Sequence, residues 1–98
     1  MKQNLPSFAD SFTVSVPLTR IRDIAHRNDI PQDLKNDIKH RLQNKLHRSA
    51  DPGDLRTCEE IIARVRGGNY SGDFKHQLEI FYEELKEFFN ATGLDKRL

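Results

Sequence analysis

No apolar run in this chain approaches the ~18 residues that a membrane-spanning helix needs, and Met1 to Asp10 lack the apolar core of a signal peptide. The expectation is a chain with no membrane partner and no targeting signal of its own. A single cysteine, Cys58, excludes an internal disulfide and a cysteine-based zinc site. Excess charge of one sign is also missing: sixteen Lys and Arg face fifteen Asp and Glu, for a net charge of +1. No global field therefore draws the chain to nucleic acid. Glycine pairs are scarce, and the one pair present, Gly67-Gly68, follows a helical segment instead of joining a strand to a helix. It matches neither phosphate-binding fingerprint.

What remains is apolar residues set at helical spacing in a polar chain of 98 residues, the size of one small domain. Residues 1–17 read as an extended arm, since Pro6 and Pro17 act as breakers while Phe8, Phe12, Val14 and Val16 alternate with polar residues. Phe8 and Phe12 are expected to pack on the helices. Leu18, Ile21, Ile24 and Ala25 predict a first helix from about Thr19 to Arg27, ended before Pro31. Pro31 suits the first turn of a second helix, and Leu34, Ile38, Leu42 and Leu46 recur every four residues along it. Asp51 is the expected N-cap of a third helix with Leu55, Cys58, Ile61, Ile62 and Val65 on one face. Gly67-Gly68 should end it in the left-handed conformation that glycine accepts.

Ser71 is the expected N-cap of the last helix. Its stripe of Phe74, Leu78, Phe81, Tyr82, Leu85, Phe88 and Phe89 is the strongest periodic signal in the sequence. The fold class is thus all-α: a small bundle of about four helices over residues 18–98, preceded by the arm. The wide aromatic stripe is expected to leave an apolar face for neighbouring domains to cover.

Chemistry is sparse. His40 and His47 are two turns apart, where zinc sites on a helix use spacings of three or four, and His26 and His76 have no ligand neighbours in sequence. Cys58 falls on an apolar face and reads as core. Glu59-Glu60 and Glu83-Glu84 are adjacent, so each pair diverges by about 100° around its helix and cannot act as a positioned acid/base pair. Charge is unevenly spread, with nine cations against five acids in residues 1–50 and seven against ten in residues 51–98. Arg41, Lys45 and Arg48 share one face of the second helix, a candidate site for phosphate groups or an acidic partner. Arg20, Arg22 and Arg27 carry the same ambiguity. No aromatic residues interleave with these cations, which argues against nucleic acid.

One long block is more specific. Val16-Pro17-Leu18-Thr19-Arg20-Ile21-Arg22-Asp23-Ile24-Ala25-His26-Arg27-Asn28-Asp29-Ile30-Pro31 resembles a segment of the starch-phosphorylating dikinases, the phosphoglucan, water dikinase and glucan, water dikinase family. The resemblance continues at Asp33-Leu34-Lys35, Ile38-Lys39-His40 and Gln43-Asn44-Lys45-Leu46-His47-Arg48. It resumes at Tyr70-Ser71-Gly72-Asp73-Phe74 and from Ile80 to Ala91. It weakens over residues 56–69, and Asp51-Pro52-Gly53-Asp54-Leu55 stands where the family pattern is Gly-Pro-Glu-Asp-Leu.

The resemblance implies a non-catalytic piece from the middle, helical part of an enzyme that transfers the β-phosphate of ATP to α-glucan and the γ-phosphate to water through a phosphohistidine. It implies ATP and a divalent metal in that parent enzyme, with no cofactor in this chain. Neighbouring domains of the dikinase are the implied partners, with α-glucan reached indirectly. The implied location is the chloroplast or another plastid for a plant-type enzyme, and otherwise the cytoplasm. None of the four histidines lies in the family's phosphohistidine motif, so no catalytic residue carries over and the chain alone is expected to be inactive. The alternative is a free-standing helical binding module that uses Arg41, Lys45 and Arg48 for phosphorylated glucan or an acidic protein partner.

Overall fold

A computed structural model describes the backbone of residues 4–92 and the side chains of residues 15–92. Among the described residues there are four helices and no strand. α1 is Asn4–Ala25. α2 is continuous through an α-helical Gln32–Asp37, a π-helical Ile38–Gln43 and an α-helical Asn44–Arg48. α3 is Gly53–Arg66 and α4 is Gly72–Thr92. The most extensive packing is between α1 and α4, with α2 and α3 closing the other sides.

The predicted first helix is the C-terminal part of α1, whose Ile21, Ile24 and Ala25 are buried as the spacing requires. Residues 15–17 lie within α1, and the helix passes through Pro17. Proline there removes one main-chain hydrogen bond. Its ring is buried, so apolar burial offsets part of that loss. The packing expected of Phe8 and Phe12 lies outside the described residues.

α2 explains its own unusual repeat. Four residues of an α-helix turn through about 400°, so a strict spacing of four drifts by about 40° per step. Leu34, Ile38, Leu42 and Leu46 should therefore spiral off one face, yet none is more than 4% exposed. The π stretch corrects the drift. There the Asn44 N–H donates to the Lys39 carbonyl, five residues back, and the wider turn returns Leu42 and Leu46 to the core.

The predicted caps of α3 and α4 are present. Asp51 Oδ1 accepts the Gly53 N–H at 2.8 Å, and the Asp54 carboxylate reaches back to the Asp51 N–H at 3.0 Å. This reciprocal pair is a capping box with aspartate in both places. At α4, Ser71 Oγ accepts the Phe74 N–H at 3.1 Å and donates to Asp29 at 3.3 Å. The cap is thereby tied to the loop before α2.

At the end of α3 the reason for glycine differs from the expectation. Neither Gly67 nor Gly68 lies in the left-handed region. A Cβ at Gly68 would instead sit 2.4 Å from the Tyr70 ring, which packs edge-on against Phe74 with centroids 5.7 Å apart. A Cβ at Gly67 meets nothing closer than 3.7 Å. Gly68→Ala should therefore cost about 1–2 kcal/mol by displacing that ring, while Gly67→Ala stays within about 0.5 kcal/mol of the parent. Equal urea midpoints for the two variants would contradict this account.

The phenylalanines of α4 do not leave the apolar face that the sequence suggested. Phe74, Phe81 and Phe89 are fully buried and Phe88 nearly so, because α1 covers them on one side and α3 on the other. Val16 is the one large apolar side chain classed as exposed among the described residues.

Candidate functional site

The cations of α2 occupy a shallow surface groove with His40, Asp51, Asp54 and Thr57. Arg41 donates to Glu60 of α3 at 2.9 Å. Lys45 is built into the start of α3: its ammonium lies 2.5 Å from the Ser49 carbonyl, 2.8 Å from Asp51 and 3.1 Å from Asp54. Burial works to lower the Lys45 pKa, but the hydrogen bonds to Asp51 and Asp54 outweigh it and the net shift is upward. Asp54 shifts upward as well. Its carboxylate is 3% exposed, and loss of water outweighs the help of the Asp51 N–H and Lys45. Arg48 is exposed and has no partner among the described residues. An anion at this face would therefore meet two carboxylates together with the three cations.

Arg20 and Arg27, but not Arg22, hold elements together. Arg20 forms a two-pronged pair with Glu84 of α4, Nε to Oε1 at 3.1 Å and Nη2 to Oε2 at 2.9 Å. Arg27 grips Asp29 with two hydrogen bonds of 2.7–2.8 Å, reaches Asp73 at 2.7 Å and lies over the Phe74 ring. The Arg27 guanidinium holds the Asp29 carboxyl down to about 2. Arg22 is exposed, and its carbonyl receives the His26 ring nitrogen at 2.7 Å.

The other candidates stay apart. No three His, Cys, Asp or Glu side chains converge to hold a metal among the described residues. Glu59 accepts a short hydrogen bond from the Tyr82 hydroxyl while its neighbour Glu60 turns to Arg41. Glu84 turns to Arg20, and Glu83 has only Lys86 at 3.9 Å. Cys58 is fully buried, and burial pushes its thiol up to about 12. In the folded chain at pH 8, alkylation of Cys58 should run at under about 1% of its rate in denaturant, because the thiolate is both scarce and covered. Comparable rates in the two conditions, read by mass spectrometry, would show that the thiol is accessible.

A further groove joins residues that sequence reasoning did not group. It lies between α3 and α4 and encloses about 590 Å³. Ile62, Ala63 and Ile80 line it together with Glu59, Glu79, Glu83 and Glu87, and Arg66 and His76 also belong to the lining. The spacing of Glu79, Glu83 and Glu87 was visible as a run of every fourth residue. The apolar residues come from a different helix, and only tertiary packing sets them beside that run. The Tyr82 hydroxyl is pushed up to about 12, chiefly by its hydrogen bond to Glu59.

No solved structure matches the chain. A family model described as the phosphoglucan water dikinase linker domain matches residues 1–92, almost the whole length, and the four helices and their cross-helix ion pairs are those of the matched segment. The chain belongs to the phosphoglucan water dikinase linker domain family.

Proposed function

We propose that this domain is a rigid, non-catalytic spacer in a plastid dikinase that phosphorylates starch-like α-glucan with ATP, sending the β-phosphate to glucan and the γ-phosphate to water. The match to the linker family over residues 1–92 carries the reading. The construction of the domain supports it. α4 has 21 residues, about 31 Å of helix, and its Glu84 and Asp73 are tied by ion pairs to Arg20 and Arg27. Such a unit can hold flanking domains at a set separation, which a flexible chain of equal length cannot do.

ATP and a divalent metal belong to other parts of that enzyme in this reading. The described side chains supply no convergent metal ligands, and the glycine pair follows a helix. The alternative of a free-standing module binding anions through Arg41, Lys45 and Arg48 has less support, because Arg41 and Lys45 already hold carboxylates.

Replacing residues 15–92 in the parent dikinase with a Gly/Ser chain of equal length tests the spacer. Glucan phosphorylation is expected to fall by about tenfold or more, as the effective concentration of one domain at another drops. Phosphohistidine formation from ATP should stay within about twofold, because it needs no glucan-bearing neighbour. Undiminished glucan phosphorylation, or ATP turnover by the purified 98-residue chain, would overturn the proposal.

A further inference from the structure

We propose that the groove between α3 and α4 is a docking site for a basic amphipathic helix, whose aliphatic side chains meet Ile62, Ala63 and Ile80 and whose Lys or Arg side chains meet Glu83 and Glu87. Three observations point there. The groove encloses about 590 Å³, and it has an apolar floor. Its α4 rim carries Glu79, Glu83 and Glu87 at successive spacings of four, so their side chains stack along one ridge for two turns. Like charges at that spacing repel and weaken a helix.

The domain itself does little to relieve this repulsion. Arg66 pairs with Glu79 at 2.9 Å, Glu83 has only the distant Lys86, and Glu87 has no partner among the described residues. Ion pairs tie α4 to other parts of the fold at Arg20–Glu84 and Arg27–Asp73, whereas Glu83 and Glu87 reach no cation of another helix among the described residues. A ridge whose Glu83 and Glu87 lack a close cation, beside an apolar floor, is complementary to a helix with one aliphatic stripe flanked by cations.

That the helix comes from a neighbouring domain rests on the spacer reading. The preference of the groove does not, and it can be measured on the 98-residue chain alone. The probe is a synthetic helical peptide of leucine and lysine, about five turns long, titrated into the isotope-labelled chain by NMR. Two controls share its length: one with glutamate in place of lysine, and one with serine in place of leucine.

The Leu/Lys peptide is expected to bind saturably, with the largest amide shifts at Ile62, Ala63, Ile80 and Glu83, and to bind more weakly as salt rises. Neither control should saturate. Glu83→Gln with Glu87→Gln should weaken binding by about fivefold or more, and both positions are exposed, so the fold should persist. Absence of binding, shifts centred elsewhere, equal binding of either control, or an unchanged affinity in the double variant would each overturn the assignment. A spacer that fails in the parent enzyme while this binding survives would remove the proposed source of the helix and leave the groove's preference standing.

Discussion

Phe81→Ala is expected to remove about 3–5 kcal/mol of stability, the largest loss from any single substitution considered for this domain. Phe81 lies at the middle of α4, is fully buried, and faces a core shared with Ile21 and Ile24 of α1 and Ile61 and Val65 of α3. Truncation gives up the transfer of a ring from water and leaves a cavity that four helices cannot all close at once. Small domains have only about 5–15 kcal/mol to lose, so the variant should be partly unfolded near 37 °C or melt far below the parent. Phe81→Leu, which keeps most of the volume, should cost about half as much or less. Urea unfolding followed by circular dichroism checks both. A loss below about 1 kcal/mol for the alanine variant would mean that the ring is not packed as described.

Lys45→Met is expected to cost about 2–3 kcal/mol, below the full value for breaking a buried pair because the lysine side chain is 29% exposed. The substitution leaves Asp54 charged, covered and held only by the Asp51 N–H. In an Asp54→Asn background, where the cap can still accept that N–H, the same change should cost under about 1 kcal/mol. Equal costs in the two backgrounds would show that Lys45 acts through packing alone.

The pH dependence separates these charges further. The Asp54 carboxyl is raised above its ordinary 3.8, so the folded state holds that proton more tightly than the unfolded one does. Its contribution to stability therefore falls as pH rises from 3.8 through the folded value. Asp29 and Asp51 are lowered instead, by Arg27 and Lys45 first of all. Their contributions are present above 3.8 and are lost as pH falls through the depressed values, about 2 for Asp29. In Lys45→Met the Asp54 charge has no cation to offset it. The gap between variant and parent should therefore narrow as pH drops from 7 towards the ordinary carboxyl value of 3.8, as Asp54 takes up a proton. A gap that widens over that interval would show the opposite sign.

Much of the fold was legible because helix periodicity is local. The stripes at Ile21–Ile24, Leu34–Leu46, Cys58–Val65 and Phe74–Phe89 are the buried residues, and Asp51 and Ser71 cap where their side chains allow. The strict repeat of four in α2 read as one stripe of an ordinary helix, and the π-helical turn that keeps it on one face was not expected. The passage of α1 through Pro17 was not legible. A proline inside a helix is stable only when packing compensates for the lost hydrogen bond, and that packing comes from other parts of the chain.

Functional surfaces were less legible for the same reason. Arg41, Lys45 and Arg48 look alike in sequence, but Glu60 lies nineteen residues from Arg41 and Asp54 nine from Lys45, and these partners leave only Arg48 unpaired. Glu84 reaches Arg20 across sixty-four residues. The sequence by itself determined the number of helices, their inward faces and their main stops, because burial of apolar side chains follows from spacing along one segment. The tertiary structure alone decided which charges are neutralised, why a side chain at Gly68 would crowd Tyr70, and that an apolar floor meets the glutamates of α4. Each of these depends on contacts between segments, and hydrophobic spacing within a helix says nothing about which carboxylate, ring or methyl group another helix will bring against it.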